Sequence, residues 1–359
     1  MKKKVVILVN SDIVIYNFRL ELVEALLSNG FRVVIVSPYG KRIDFLTQLG
    51  CKFIGLNLSR HGKNPFQDLK LLKSYKKILK AEKPDVVLTY TIKPNIYGGM
   101  ACQSLKVPYI SNVTGLGDAI ENGGLLKKIT LFLYKIGLRK SKNVFFQNAS
   151  NQKFFLDNKI VEGNNDLLPG SGVNIERFAY AEYPTNDAIK LLFIGRITRD
   201  KGVNELAEAA KKIASKHQNV IFDIVGWADE GSKNPFEALE NCFCHGSQVD
   251  VRPFIEKAHA IVLPSYHEGM ANVLLEAAAC GRPILASNIP GCQETFDEGI
   301  TGFGFEPKNV DSLCEVIEKF IALPYEQKCE MGKSGRKKME EQFNRQIVVN
   351  KYLEQINSL

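Results

Sequence analysis

Short β-branched runs alternate with longer stretches of helical period along most of this chain. Lys4–Val9, Arg32–Ser37, Lys52–Leu56, Asp85–Tyr90, Pro108–Val113 and Asn143–Gln147 read as strands, and Phe18–Ser28, Phe66–Ala81, Asn95–Leu105 and Gly124–Leu138 as the helices between them. That alternation predicts βαβ units, a parallel sheet and helices on both of its faces. Residues 168–189 interrupt the pattern with Pro169, Gly170, Gly172 and Pro184, a composition suited to a connection between domains. The pattern then resumes, with strands at Lys190–Gly195, Val220–Val225, Ala260–Pro264 and Pro283–Ala286. Pro324–Asn357 reads as helix and is so highly charged that a surface position is expected for it. The expected organisation is a Rossmann-like domain over 1–168, a connection over 169–189, a second Rossmann-like domain over 190–344, and a last helix over 345–359 that can return to the first domain.

A chain of 359 residues with 45% hydrophobic and 24% charged positions fits two ordinary globular domains. No apolar run approaches the roughly 18 residues that span a bilayer. The opening KKKVVILVN carries only a short apolar stretch, ended by Asn10 and Asp12, which reads as a first strand rather than a signal peptide and places the protein in the cytoplasm. The eight cysteines are scattered without C-x-x-C spacing or a nearby histidine set, so buried free thiols are expected and no metal site.

Charge changes the picture. Residues 1–180 hold 27 basic against 13 acidic side chains, whereas residues 181–359 hold 20 against 26. The first half therefore calls for an anionic partner, such as nucleic acid, an acidic membrane surface or a phosphorylated acceptor. No nucleic-acid-binding pattern accompanies the charge, so nucleic acid is not expected.

In open parallel sheets ligands bind outside the carboxyl ends of the strands, so two facing domains of this kind put the chemistry in a central cleft, on loops that follow strands. Two loops of the second domain stand out. Gly195-Arg196-Ile197-Thr198-Arg199-Asp200-Lys201-Gly202 leaves a strand through a glycine and offers cations at 196 and 201 that can clamp a diphosphate; its bland alternative is a solvated turn in which Lys201 pairs with Asp200 or Glu205. Glu268 precedes a helix start and Glu276 lies about two turns inside it, while the backbone N–H groups from Gly269 to Asn272 form the positive end of that helix.

These motifs together, G-R-x-x-x-x-K-G at Gly195–Gly202, E-x7-E at Glu268–Glu276, and Gly281-Arg282-Pro283, resemble the donor signature of the retaining family 4 glycosyltransferases, which have the GT-B fold. Tyr90-Thr91-Ile92-Lys93-Pro94-Asn95, Val113-Thr114-Gly115-Leu116-Gly117, Gly170–Asn174, and Val225-Gly226 with Asp229-Glu230 and Asn234-Pro235 resemble the branch that extends lipid-linked oligosaccharides, among them bacterial N-acetylgalactosaminyl and galactosyl transferases of glycan and capsule assembly. The resemblance implies a UDP-sugar donor and a polyprenyl-diphosphate-linked saccharide acceptor, with no cofactor or metal. By the same resemblance Arg196 and Lys201 hold the donor diphosphate, Glu268 and the backbone of Gly269, Met270, Ala271 and Asn272 meet the sugar, and Glu276 accepts from the ribose hydroxyls. His245 is expected in a loop near the base, with Gly195 close to the donor and Asn10, Lys93, Thr114 and Gly115 on the acceptor side. His61, His267 and Trp227 are weaker candidates, with surface or packing roles as their alternatives.

For a retaining enzyme of this kind the expected mechanism needs no nucleophile: the leaving diphosphate helps deprotonate the acceptor, and Arg196 and Lys201 stabilise the charge that grows on it. No Asp-x-Asp is present. A sugar-nucleotide 2-epimerase and a non-catalytic sugar-nucleotide-binding protein remain as alternatives. Gly124–Lys140 combines apolar residues at helical spacing with five cations and no acid, and six lysines lie between Lys70 and Lys83. The first domain is therefore expected to rest on the anionic cytoplasmic face of a membrane, the alternative being a helix that packs on the sheet with its lysines in water.

Overall fold

The computed structural model describes residues 3–56, 65–116, 123–185, 188–228 and 233–359. The chain divides into two compact units, Met1–Ser171 with Gln346–Leu359, and Gly172–Arg345.

The first unit is built on seven parallel strands, β1 (Lys4–Leu8), β2 (Arg32–Ser37), β3 (Lys52–Gly55), β4 (Val86–Tyr90), β5 (Tyr109–Val113), β6 (Asn143–Phe146) and β7 (Asn165–Leu167). Their order is β3-β2-β1-β4-β5-β6-β7. The helices are α1 (Asp12–Phe18), α2 (Leu20–Ser28), α3 (Ile43–Gln48), α4 (Pro65–Glu82), α5 (Gly99–Leu105), α6 (Gly124–Leu138) and α7 (Ala149–Asp157). The run Val5–Val9 is wholly buried, and the period of two splits it: Val5, Ile7 and Val9 enter one core, Val6 and Leu8 another on the opposite face. That two-sided burial is why the strand is continuously apolar.

Several expected elements differ in detail. The helix expected over Phe18–Ser28 is broken at Arg19, whose φ of −140° separates α1 from α2, while Ser11 caps α1 by accepting from the Ile13 amide. The helix expected from Asn95 begins with a π-helical turn at Pro94–Gly98 before α5. Strand β7 has only one apolar residue and lies at the sheet edge, so it left no hydrophobic signature.

The second unit carries six parallel strands, β8 (Ile189–Ile194), β9 (Val220–Val225), β10 (Cys242–Gly246), β11 (Ala260–Leu263), β12 (Ile284–Ser287) and β13 (Gly302–Phe305), in the order β10-β9-β8-β11-β12-β13. Its helices are α8 (Val203–Ala214), α9 (Arg252–Lys257), α10 (Asn272–Ala279), α11 (Val310–Ala322) and α12 (Tyr325–Gln342); α13 (Arg345–Asn357) follows. The two strands that pattern alone did not show, CFCHG and GFGF, are both edge strands poor in aliphatic residues.

The surface position expected for Pro324–Asn357 is wrong for its last part. Val348, Val349, Tyr352 and Ile356 of α13 are buried in the core of the first unit with Ile7, Leu88 and Phe145. Four apolar side chains at helical spacing outweigh the charge of the stretch as a whole. All eight cysteines are free; five are buried, whereas Cys244 is exposed. Among the described residues no helix is long and apolar enough to cross a membrane.

Candidate active site

In each unit the strand order reverses at one place, and such a reversal opens a crevice at the carboxyl ends of the two strands concerned. In the second unit β9 and β10 lie to one side of β8 and the chain returns with β11 on the other, so the reversal falls between β8 and β11. The two loops singled out by their chemistry leave these two strands: Gly195–Gly202 follows β8 and Pro264–Ala271 follows β11.

Glycines let the loops touch. Gly202 is left-handed, at φ +68°, and a Cβ there would lie 2.0 Å from the Pro264 carbonyl oxygen. The Tyr266 amide donates to the Asp200 carbonyl at 2.8 Å, and the Tyr266 hydroxyl donates to Glu205 at 2.6 Å. Held this way, the Lys201 ammonium meets Glu268 Oε1 at 2.5 Å, and Ser265 Oγ donates to the same oxygen at 2.8 Å. The two charged side chains are only 17% and 14% exposed. The neighbour pairing considered for Lys201 is thus replaced by a partner 67 positions away. Arg196 instead takes Asp200, at 3.2 Å, with both side chains half exposed. That pair is weak and leaves the guanidinium able to turn to a ligand.

At the start of α10 the Ala271 amide donates to the Gly291 carbonyl, so it is not part of an available anion site, whereas the amides of Met270 and Asn272 have no acceptor among the described residues. The side-chain oxygen of Asn272 is likewise buried without a donor. The side chain of Glu276, inside α10, makes no hydrogen bond among the described residues, and burial pushes its carboxyl up to about 7, against the opposing pull of Arg345 and Arg177. A carboxyl raised in the folded state costs stability as it ionises: its contribution is intact below about pH 4.5 and is lost as pH rises through about 7. Glu276→Gln is therefore expected to stabilise the protein by about 2–3 kcal/mol at pH 8 and by little at pH 4.5, read as a pH-dependent gap in Tm.

His245 is not in a loop as expected. It is the penultimate residue of β10, at a register shift, with Nε2 2.6 Å from Asp223 Oδ1 and its ring against Phe254. Trp227 is half exposed, and His267 is exposed. Arg282 is structural: it is buried and donates to the carbonyls of Ile255, Gly281, Glu182 and Glu256.

In the first unit the reversal lies between β1 and β4. Asn10 follows β1, Lys93 follows β4, and Thr114 and Gly115 follow β5 beside it. The Asn10 side chain makes no hydrogen bond among the described residues, but Lys93 is paired with Asp68 at 2.9 Å, and Tyr97 donates to the other oxygen of that carboxylate. Lys93 therefore brings less net charge to the loop than its sequence suggested. His61, Gly117, Asp229 and Glu230 lie outside the described residues.

Sequence reasoning missed Ser265, although it stands three positions before Glu268, and Asp223, whose role appears only when β9 and β10 pair. Arg345 and Arg177, the cations nearest Glu276 in charge terms, lie 69 and 99 positions from it and gave no local signal.

Two families match separate parts of the chain. The description "Glycosyl transferase 4-like" covers residues 4–148, and "Glycosyl transferases group 1" covers residues 177–338. The N,N'-diacetylbacillosaminyl-diphospho-undecaprenol alpha-1,3-N-acetylgalactosaminyltransferase of Campylobacter jejuni is 29% identical over 86% of each chain. The UDP-Gal:alpha-D-GlcNAc-diphosphoundecaprenol alpha-1,3-galactosyltransferase of Escherichia coli is 25% identical over 70% of each. A solved glycosyltransferase from Rickettsia africae superposes with a TM-score of 0.81 at 20% identity, covering 99% of this chain and 98% of that one. With two doubly wound parallel units, motif loops at the strand-order reversal and both matches in chain order, this chain has the make-up of a GT-B glycosyltransferase, 4-like over residues 4–148 and group 1 over residues 177–338.

Proposed function

We propose that the protein is a retaining, metal-independent hexosyltransferase. It moves a hexose or N-acetylhexosamine from a UDP-sugar to a polyprenyl-diphosphate-linked saccharide, in assembly of a bacterial surface glycan or glycoprotein glycan. The observation that carries this reading is the meeting of Lys201, Glu268 and Ser265 at the β8/β11 reversal, with Arg196 on the same loop. The names of the two relatives supply the donor and acceptor classes.

In the reaction the bond from the anomeric carbon to the β-phosphate oxygen breaks, and the acceptor hydroxyl oxygen bonds to the same face of that carbon. The hydroxyl proton passes to the departing diphosphate. Arg196 and Lys201 stabilise the negative charge that this bond-breaking leaves on UDP. Glu268, already aligned by two donors, keeps lone pairs for a sugar hydroxyl, with Gly269, Met270 and Asn272 beside it. Glu276 takes the ribose hydroxyls, and Gly195 allows the backbone close to the diphosphate. Asn10, Thr114 and Gly115 present the acceptor side, with Lys93 as a cation shared with Asp68.

Helix α6 supports peripheral attachment to the cytoplasmic face of a membrane. It packs inward through Thr130, Tyr134, Gly137 and Leu138, yet Leu125, Ile129, Phe132 and Ile136 form an outward apolar stripe that is 73%, 47%, 64% and 36% exposed. Lys128, Lys135 and Arg139 are exposed on the same helix and border. An apolar stripe edged by cations suits the boundary between acyl chains and anionic head groups.

A calorimetric screen of sugar nucleotides in chelator-treated protein tests the donor, followed by transfer to an undecaprenyl-diphosphate-linked sugar. UDP binding and transfer without metal are expected. Strict magnesium dependence, or conversion of the UDP-sugar with no acceptor present, defeats the proposal.

A further inference from the structure

Lys201 has two acids close to it in the chain and pairs with neither. Asp200 is its neighbour, and Glu205 lies four positions on, in the first turn of α8. A turn that runs into a helix ordinarily offers an ammonium such local acids. In the fold both are already taken. Asp200 accepts from Arg196 at 3.2 Å, and Glu205 Oε1 accepts from the Tyr266 hydroxyl at 2.6 Å. Lys201 is left to Glu268, in the loop after β11.

The bond from Tyr266 to Glu205 has the length of a hydrogen bond to an ionised acceptor. Several contacts fix the ring that makes it. The Tyr266 amide donates to the Asp200 carbonyl at 2.8 Å, and Lys308, in the loop after β13, sets its ammonium 4.8 Å from the ring centre. Burial and then the bond to Glu205 push the phenol up to about 12, against the opposing pull of Arg199, so the hydroxyl keeps its proton and stays a donor through the neutral range. Glu205 depends on that donor, because its other oxygen, Oε2, is buried without a partner among the described residues. Deprived of the phenol, it is a partly buried carboxylate in need of a cation, and Lys201 stands four residues before it.

We propose that Tyr266 is a positioning residue that decides the partner of Lys201: by holding Glu205, its hydroxyl leaves the Lys201 ammonium to Glu268, where the diphosphate and the sugar of the donor meet. The consequence for transfer rests on the proposed function; the competition between Glu205 and Glu268 for one ammonium rests on the contacts of Tyr266.

The test sets transfer rates, UDP calorimetry and thermal melts of the full chain beside those of Tyr266→Phe, Glu205→Gln and the double variant. Tyr266→Phe removes one oxygen and keeps the ring under Lys308. It is expected to lower kcat about tenfold and to weaken UDP about threefold. Glu205→Gln still accepts from the phenol and should stay within about twofold of wild type in both. The double variant removes the charge that competes for Lys201, so it should recover both quantities to within about threefold of wild type, a rescue that a phenol serving stability alone does not give. Wild-type values in Tyr266→Phe overturn the proposal, as does a double variant no better than Tyr266→Phe. Should Tyr266→Phe fail to fold, the double variant decides: recovery to the stated range upholds the proposal, whereas a loss of about tenfold or more, or failure to fold, overturns it. If wild-type protein binds UDP but transfers no sugar, the proposed function fails while the same pattern in UDP affinity upholds the role of Tyr266 and its absence overturns it. If wild type neither transfers nor binds UDP, both fall.

Discussion

Lys201→Ala is expected to lower kcat/KM by about 10²–10³, equivalent to roughly 3–4 kcal/mol of lost transition-state stabilisation. The same substitution strips Glu268 of its counter-ion where both side chains are mostly buried, so Tm should fall as well. Arg196→Ala is expected to cost about 2–4 kcal/mol in rate with Tm nearly unchanged, because its pair with Asp200 is half exposed. The two variants thus separate a cation that both shapes the site and serves the reaction from one that serves the reaction alone. Steady-state transfer rates beside thermal melts of both proteins provide the check. Full activity in Arg196→Ala removes the basis for the diphosphate site, and a Lys201→Ala protein that melts lower but turns over normally makes the ion pair structural.

Vesicle binding should collapse when the outward stripe of α6 is made polar. Full burial of a Leu, Ile or Phe side chain is worth about 1.5–3 kcal/mol each, and a lysine near an anionic surface about 1 kcal/mol. A triple Leu125→Ser, Ile129→Ser, Phe132→Ser variant is therefore expected to lose about a hundredfold or more in partition to vesicles containing anionic lipid. Charge reversal at Lys128, Lys135 and Arg139 should reduce partition at low salt and matter less at high salt. Because Thr130, Tyr134, Gly137 and Leu138 anchor the helix from its other side, both variants should keep the wild-type Tm. Flotation with and without anionic lipid reads the effect. Failure of the wild-type protein to float, together with efficient transfer to a water-soluble sugar, points to a soluble acceptor.

Much of the fold was legible because stretches buried on both faces of a sheet must be apolar, and Val5–Leu8, Val33–Val36, Val86–Leu88, Leu191–Phe193 and Ala260–Leu263 are written that way. The edge strands β7, β10 and β13 carry weaker patterns, since an edge has less apolar surface to cover and its ladder is held by backbone groups that any residue possesses. The candidate site was half legible. Arg196, Lys201, Glu268 and Glu276 could be found because glycines and charges beside strand ends leave a local mark. What each of them touches could not be found, because Lys201 meets Glu268 across 67 positions and only the β8/β11 adjacency brings them together. In the same way the charge of Lys93 was visible in the sequence and its neutralisation by Asp68 was not, since the pairing depends on how α4 lies against the loop after β4. The helical period of α6 was evident from its residues, but a helix with apolar side chains all round has two faces to offer. Which face the sheet takes, and which is left outward, was decided by the close fit of Gly137 against the backbone of Ile96 and of Tyr134 against Phe155. The burial of Arg19 has the same origin: a cation's place on a short helix end says nothing of Tyr90 and Tyr352, the second of them 333 positions away, that the tertiary fold closes over it.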